Sequence, residues 1–180
     1  MPIVISDTRS DGIYTQLIDE PVAYTREVDH DRVIDYAADG TPVGIDLLGV
    51  SEGIDLSDLP HGDAIVDLWI EQLGQKYRIE NYPEVLSYLI ANPFLIGILL
   101  EAPGKVGGHF GPDTPLALEI FTDPEDEDSQ ELFVLIHADL TPEQALQRLA
   151  NLGREWWLET SALTRCRLNI DIRYIDSHHS

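Results

Sequence analysis

Cysteine is almost missing from this chain, since Cys166 is the single one among 180 residues. One thiol excludes an internal disulfide, and a chain without disulfides is typical of a reducing compartment. Long apolar runs are missing too: the longest, 94–100, falls far short of the roughly 18 residues needed to cross a bilayer. The start, 1–7, lacks the basic residues and the apolar run of a signal peptide. We therefore predict a soluble, cytoplasmic protein without a membrane partner.

Basic residues are the second shortage. The chain has 11 Lys and Arg against 33 Asp and Glu, which gives a net charge of −22, and only two residues are lysines. Both halves are acidic, at −12 for residues 1–80 and −10 for residues 81–180. Such a field repels nucleic acids and anionic membranes and attracts basic partners over a long range. We therefore predict a basic protein partner and no nucleic-acid ligand, with solubility and salt adaptation as alternative explanations.

The first half has the alternating pattern of short antiparallel strands. Its clearest signal is Asp39-Gly40 between apolar residues, because glycine adopts the positive φ of a tight turn without steric cost. Further along, apolar residues at three- and four-residue spacing predict a helix over 62–74 that covers the dry face of the sheet. The predicted strands are 3–7, 13–18, 22–28, 33–36 and 43–48.

The second half alternates helices and strands. Pro83 and Asn92-Pro93 are suited to helix starts, and Pro103-Gly104 predicts the end of the second helix. Thr141 and Gln144 form a capping box for a third helix. The predicted strands are 116–122, 132–138 and 168–175.

Together these patterns predict an α+β fold rather than a doubly wound one. Domain 1–80 is predicted to be an antiparallel β-meander with a covering helix. Domain 81–180 is predicted to follow the order helix-strand-strand-helix-strand. Whether the two pack separately or as one globule stays open at this point.

Several positions of the first half form a distinctive pattern, in which an early Asp and an aromatic residue precede an Asp-Tyr core, an Asp-Gly turn, a Val-Gly-Ile-Asp stretch and a Ser. The matching residues are Asp11, Tyr14, Asp35-Tyr36, Asp39-Gly40, Val43 to Leu48 and Ser51. In this pattern the N-terminal third resembles a small bacterial family of domains of unknown function, number 2283. Ala37 departs from an acidic residue that is usual there, and Asp46 replaces Glu.

The resemblance implies a fold but no catalytic residues. Members of that family often occur beside small toxin-like partners, which implies an antitoxin-like, neutralising role. The second half, with Glu155-Trp156-Trp157-Leu158 and Asn169-Ile170-Asp171, resembles uncharacterised bacterial proteins and implies no function.

Carboxylates are the main candidates for chemistry. Asp35, Asp39 and Asp46 are candidates for acid–base work or Mg²⁺ binding, but the turn itself requires Asp39 and no nucleophile accompanies the set. The run 123–131 lacks the mid-loop glycine of a calcium site, and it is more typical of a solvated hairpin tip or a docking knob for a basic partner. His137 and Asp139, at a strand end, are a further pair that could form a site, although such pairs more often satisfy the backbone. We predict no catalytic residue, no metal site and no cofactor.

Adjacent tryptophans, Trp156 and Trp157, are the strongest candidates for a binding surface. Neighbouring positions on a helix lie about 100° apart, so one ring is expected in the core and the other near the surface. A surface tryptophan beside Arg154 is typical of an interface anchor, and a ring covering the margin between helix and sheet is the alternative. The predicted partner-binding residues are Trp156, Trp157, Arg154, Asp126, Glu127 and Asp128.

The sequence thus predicts a non-enzymatic, acidic protein-binding module. Its partner is a basic protein, in an antitoxin-like role, or a second copy of the same chain. Two alternatives remain open: a metal-dependent hydrolase that uses clustered Asp and Glu, and an anionic mimic of nucleic acid.

Overall fold

A computed structural model describes residues 3–7, 11–49, 56 and 58–175. Contacts divide the chain into two units: unit 1 is Met1–Leu73 with Asn92–Leu100, and unit 2 is Gly74–Ala91 with Glu101–Ser180. Each unit contains a sheet and helical segments, which confirms the predicted α+β class. The predicted domain boundary between residues 80 and 81 stays a prediction.

Unit 1 contains a five-stranded antiparallel sheet in the order β1-β2-β5-β4-β3. A meander would place sequential strands side by side, so that detail of the prediction is wrong. Strand β5 is buried at Val43, Ile45 and Leu47 and takes a central place, whereas β3 is exposed along its whole length and forms an edge. The strands are β1 (Ile3–Asp7), β2 (Gly12–Gln16), β3 (Tyr24–Glu27), β4 (Arg32–Tyr36) and β5 (Pro42–Leu48).

The predicted hairpin between β4 and β5 is confirmed. Gly40 has a φ of 86°, a conformation that other residues rarely adopt. The Thr41 amide donates to Asp39 Oδ1 at 2.9 Å, so the Asp39 carboxylate closes the turn. This backbone hydrogen bond lowers the pKa of Asp39. Asp39 is therefore used by the turn, as predicted.

A helix covers the core face of this sheet. Helix α1 (Gly62–Lys76) fully buries Trp69, whose Nε1 donates to Oγ1 of the equally buried Thr15 in β2, at 2.8 Å. The tryptophan supplies a large apolar area, and Thr15 satisfies its one polar atom. The predicted covering helix is confirmed.

Unit 2 contains a four-stranded mixed sheet in the order β6-β7-β8-β9. Strands β7 and β8 are antiparallel, while β6 runs parallel to β7 and β9 parallel to β8. The predicted order helix-strand-strand-helix-strand is present, with the short β6 as an addition. The elements that follow α1 are β6 (Arg78–Ile79), α2 (Tyr82–Ala91), α3 (Leu95–Phe110), β7 (Leu116–Asp123), β8 (Asp126–Ala138), α4 (Pro142–Leu152), a π-helical turn (Gly153–Trp157), α5 (Leu158–Ser161), a 3₁₀ turn (Ala162–Thr164) and β9 (Leu168–Tyr174).

Two predicted boundaries are wrong. Helix α3 does not end at Pro103-Gly104 but continues to Phe110, because Ala102 and Val106 are buried and their packing outweighs the weak local preference. Strand β8 begins at Asp126 rather than Leu132, so the strand includes the last six residues of the acidic run, and the ladder with β7 is irregular there. The capping box is confirmed, since Thr141 and Gln144 exchange side-chain and backbone hydrogen bonds of 3.3 Å.

Within the described ranges, no single helix combines the length and the apolarity that a membrane crossing requires. Helices α2 and α3 meet those criteria only as a bent pair.

Candidate functional site

We define the acidic hairpin tip as residues 123–131. It consists of the end of β7, the turn and the beginning of β8. Strand β7 ends at Asp123, which pairs with Asp126 across the two-residue turn. Two carboxylates bind the turn's own backbone: Asp123 Oδ1 accepts from the Glu125 amide at 2.9 Å, and Asp126 Oδ1 accepts from the Asp128 amide at 3.2 Å. These bonds stabilise the turn, and each uses one of the two oxygens of its carboxylate.

The charge of this tip is not compensated locally. It carries six carboxylates, and among the described residues none of them forms an ion pair. All are exposed except the last, which is half-buried. They are Asp123, Glu125, Asp126, Glu127, Asp128 and Glu131. The predicted residues Asp126, Glu127 and Asp128 therefore lie together on one exposed, negative feature.

An aromatic side chain adjoins the tip. Phe121 is 43% exposed and contacts Phe133 edge-on, with ring centroids 4.8 Å apart. It pairs with Glu131 across the ladder, which places it beside the acidic residues. Sequence reasoning missed Phe121, although the alternation along β7 already places it on the face opposite Leu118 and Ile120.

The base of the tip is tied to helix α2. The buried Tyr88 hydroxyl shares its one proton between two carbonyl oxygens, that of Arg167 at 2.8 Å and that of Gln130 at 3.3 Å. Gln130 Nε2 in turn donates to Glu84 Oε1 at 3.4 Å. Burial raises the pKa of Tyr88, which keeps its hydroxyl a donor. The contacts of Gln130 with helix α2 therefore fix the hairpin at the base of its tip.

The two tryptophans lie in a π-helical turn. Trp156 is 8% exposed and Trp157 is half-buried, as their adjacent positions predict, and their ring centroids are 5.7 Å apart. Such wide turns insert one residue into a helix and are frequent at functional sites. Arg154 is exposed and donates to Asn151 Oδ1, while Glu155 Oε2 lies 2.8 Å from His109 Nε2.

Exposed leucines accompany this turn. Leu158 directly follows it and is 67% exposed, and Leu146 and Leu163 are also exposed. The helical segment thus presents apolar side chains beside Trp157 and Arg154. Among the described residues, no hydrogen bond, ion pair or ring contact joins this segment to the acidic hairpin tip, so the predicted partner-binding residues form two separate features.

A third polar feature lies on the open face of the unit 1 sheet. Tyr14 pairs with Asp46 across β2 and β5, and its hydroxyl donates to Asp35 Oδ2 at 3.5 Å. Thr25 donates to Asp35 Oδ1 at 2.7 Å. The Tyr14 ring covers Gly44 so closely that an added Cβ would lie 2.2 Å from the hydroxyl oxygen. The absence of a side chain at Gly44 therefore leaves the space that the Tyr14 ring occupies.

The titration of this face reflects its two carboxylates. Partial burial, followed by the charge of Asp35, raises the pKa of Asp46. Burial, the charge of Asp35 and the hydrogen bond to it raise the pKa of Tyr14. Within the described part of the chain, no group of three or more His, Cys, Asp or Glu side chains is arranged to hold a metal ion.

Comparison with protein families covers part of the chain. Residues 7–51 match a family model described as "Protein of unknown function (DUF2283)". The resemblance predicted for the N-terminal third is thus confirmed, and the matched segment includes Tyr14, Asp35, Gly44 and Asp46. The search of curated proteins found no match, and neither did the search of solved structures. The family match therefore covers the segment that contains this polar face but assigns it no chemistry.

Proposed function

We propose that this protein binds a basic protein partner through the acidic hairpin tip and catalyses no reaction. The observation that carries the proposal is the set of six carboxylates at the tip, none of which has an ion-pair partner among the described residues. The proposal includes a neutralising role for this binding, which is what the resemblance of residues 7–51 to the family implies.

Electrostatics favours the tip as the point of first contact. The whole chain has a net charge of −22, so a basic protein is attracted from any direction. At physiological salt, charges are screened beyond about 8 Å, so the local density of charge decides where the partner binds. Carboxylates that are not paired with a cation attract a basic partner more strongly during the encounter than paired ones do.

Apolar contact then has to hold the complex, because exposed ion pairs contribute only about 0–1 kcal/mol each. Phe121 is placed for this role beside the tip. Trp157, with Arg154 and the exposed Leu158, is a second anchor in the proposal, since tryptophan and arginine are frequent hot spots of binding. Self-association through the tryptophan surface is the alternative use of the same residues.

The test compares two variants with the same net charge. The tip variant is Asp126→Asn, Glu127→Gln, Asp128→Asn. The control variant is Asp19→Asn, Glu20→Gln, Glu71→Gln, which neutralises three exposed carboxylates outside the tip. Each is immobilised and exposed to a lysate of the host at 50 and 300 mM salt, and retained proteins are quantified by mass spectrometry.

The proposal predicts a basic protein that the natural chain and the control variant retain equally at 50 mM salt. Because three carboxylates of the acidic hairpin tip are neutralised, the tip variant should bind this protein about tenfold more weakly. Higher salt should weaken retention of all three chains. Retention of the same basic proteins in equal amounts by both variants, or of none by the natural chain, would contradict the proposal.

The two alternative functions predict other results. A metal-dependent hydrolase predicts saturable thermal stabilisation by Mg²⁺, Mn²⁺ or Ca²⁺, because a ligand that binds only the native state raises its melting temperature. A nucleic-acid mimic predicts that the chain displaces DNA from the retained basic protein.

A further inference from the structure

A cavity of about 330 Å³ lies in unit 2, where β7 begins and where the parallel strands β8 and β9 end. Two backbone hydrogen bonds frame it. The His137 amide donates to the Pro115 carbonyl at 3.0 Å, and the Ile175 amide donates to the Ala138 carbonyl at 3.4 Å. The volume is in the range of small-molecule sites, which start at about 300 Å³.

Most of the cavity wall is apolar. Phe110, Pro112, Leu140 and Ile175 line it, and Ile175 is 47% exposed at the rim. Thr114 also lines the cavity, but its hydroxyl donates to the Phe110 carbonyl at 2.8 Å and so uses its only proton. This wall is suited to an aliphatic chain rather than to a polyhydroxylated ligand.

Two carboxylates give the cavity a negative charge. Asp113 and Asp139 line it, both are exposed, and among the described residues neither forms an ion pair. Helix α4 begins at Pro142, shortly after Asp139, and its N-terminus contributes about half a positive charge. Two full negative charges exceed that contribution, so the cavity favours a cation.

One residue of the wall, His137, is half-buried and contains a polar atom without a partner. Its Nε2 is buried and has no hydrogen-bond partner in the described part of the chain. Nearly all buried polar atoms in folded proteins have partners, and exceptions often mark functional positions. His137, at the end of β8, can therefore form a hydrogen bond for which the described residues supply no partner.

We propose that this cavity binds a primary alkylammonium group, with the aliphatic chain against Phe110, Pro112 and Leu140 and the ammonium at Asp113 and Asp139. This chemistry belongs both to free alkyl amines and to the lysine side chains of proteins. The proposal does not depend on the acidic hairpin tip, because β7 separates the two by eight residues, roughly 25 Å of strand.

The test uses the full chain and titrations followed by amide NMR. n-Pentylamine is the probe for a free amine, Nα-acetyl-lysine methylamide is the probe for a lysine side chain, and 1-pentanol is the neutral control. The site variant is Asp113→Asn, Asp139→Asn. The matched control is Glu159→Gln, Asp171→Asn, which removes the same charge from exposed positions outside the cavity.

We expect saturable shifts of the amides of Thr114, Ala138 and Asp139 with n-pentylamine and none with the alcohol. Loss of two exposed ion pairs predicts about five- to tenfold weaker amine binding to the site variant and no change in the control. Ile175→Lys should also weaken binding, because its own ammonium competes at the rim. Equal binding of the lysine probe would identify a protein side chain as the ligand, and its absence would identify a free amine.

Three results would overturn the proposal: no saturable shifts with n-pentylamine, binding of 1-pentanol with the same affinity as the amine, or an unchanged affinity of the site variant for the amine. The tip variant described above should bind n-pentylamine like the natural chain. Failure of the amine titration and failure of the lysate experiment are therefore distinguishable.

Discussion

Gly44→Ala is the substitution whose effect the structure specifies most sharply. A Cβ at this position would lie 2.2 Å from the Tyr14 hydroxyl oxygen and 2.7 Å from the ring carbon that bears it. Both distances are far below ordinary contact, so the ring has to leave its place over the strand. It would then lose its hydrogen bond to Asp35 and its packing on β5.

The cost follows from two opposing effects. Overpacking of a well-packed position costs about 1–3 kcal/mol. Replacing glycine within a strand returns about 0.5–1 kcal/mol of backbone entropy. We therefore expect Gly44→Ala to lower the free energy of unfolding of unit 1 by about 1–2 kcal/mol.

A double-mutant cycle isolates the contact. With Tyr14→Ala the space above position 44 is open, and Gly44→Ala should then stabilise by about 0.5–1 kcal/mol, which gives a coupling of about 2 kcal/mol. Urea unfolding followed by the Trp69 indole N–H signal reports unit 1 alone. An equal cost of Gly44→Ala with and without the Tyr14 ring would refute this reasoning.

Three further changes test other parts of the account. Burial and the neighbouring carboxylate raise the pKa of Asp46 above its unfolded value of 3.8, so its ionisation destabilises the fold as the pH rises through the folded pKa. Asp46→Asn should therefore raise the melting temperature at pH 7 and leave it unchanged at pH 3. Trp69→Phe should cost about 3 kcal/mol in urea unfolding, since it removes buried area and leaves the Thr15 hydroxyl without its partner, and adding Thr15→Val should recover about 1 kcal/mol. Thr141→Ala should cost about 1 kcal/mol through loss of the cap on α4, and Thr141→Ser should restore most of it, as measured by urea unfolding.

Local chemistry made part of the fold predictable. The hairpin at Asp39-Gly40 and the capping box at Thr141 each depend on residues within a few positions, and both are present. The strand order of unit 1 depends instead on which strand has a neighbouring strand along both of its edges, and alternation within one strand does not reveal this. The helix end predicted at Pro103 is wrong for the same reason. The burial of Ala102 and Val106 depends on tertiary packing, which helix propensity does not describe.

The candidate surfaces were predictable to different degrees. The exposed tip followed from the density of carboxylates, which are costly to bury unpaired. The partly buried contact of Tyr14 with Asp35 could not be predicted in this way, because it depends on the register of three strands. The π-helical turn at Trp156 has no local signal in the sequence, and Asp113 reaches the cavity with Asp139 only through the pairing of β7 with β8.

Photocrosslinking within the host tests the central claim most directly. A benzophenone amino acid would replace Ser129, which is exposed in the acidic hairpin tip, and in a second chain it would replace Glu71, which is exposed on helix α1. The account predicts that a basic protein is crosslinked from position 129 and not from position 71, and that added salt reduces the yield. No crosslinked protein from position 129, or the same products from both positions, would contradict it.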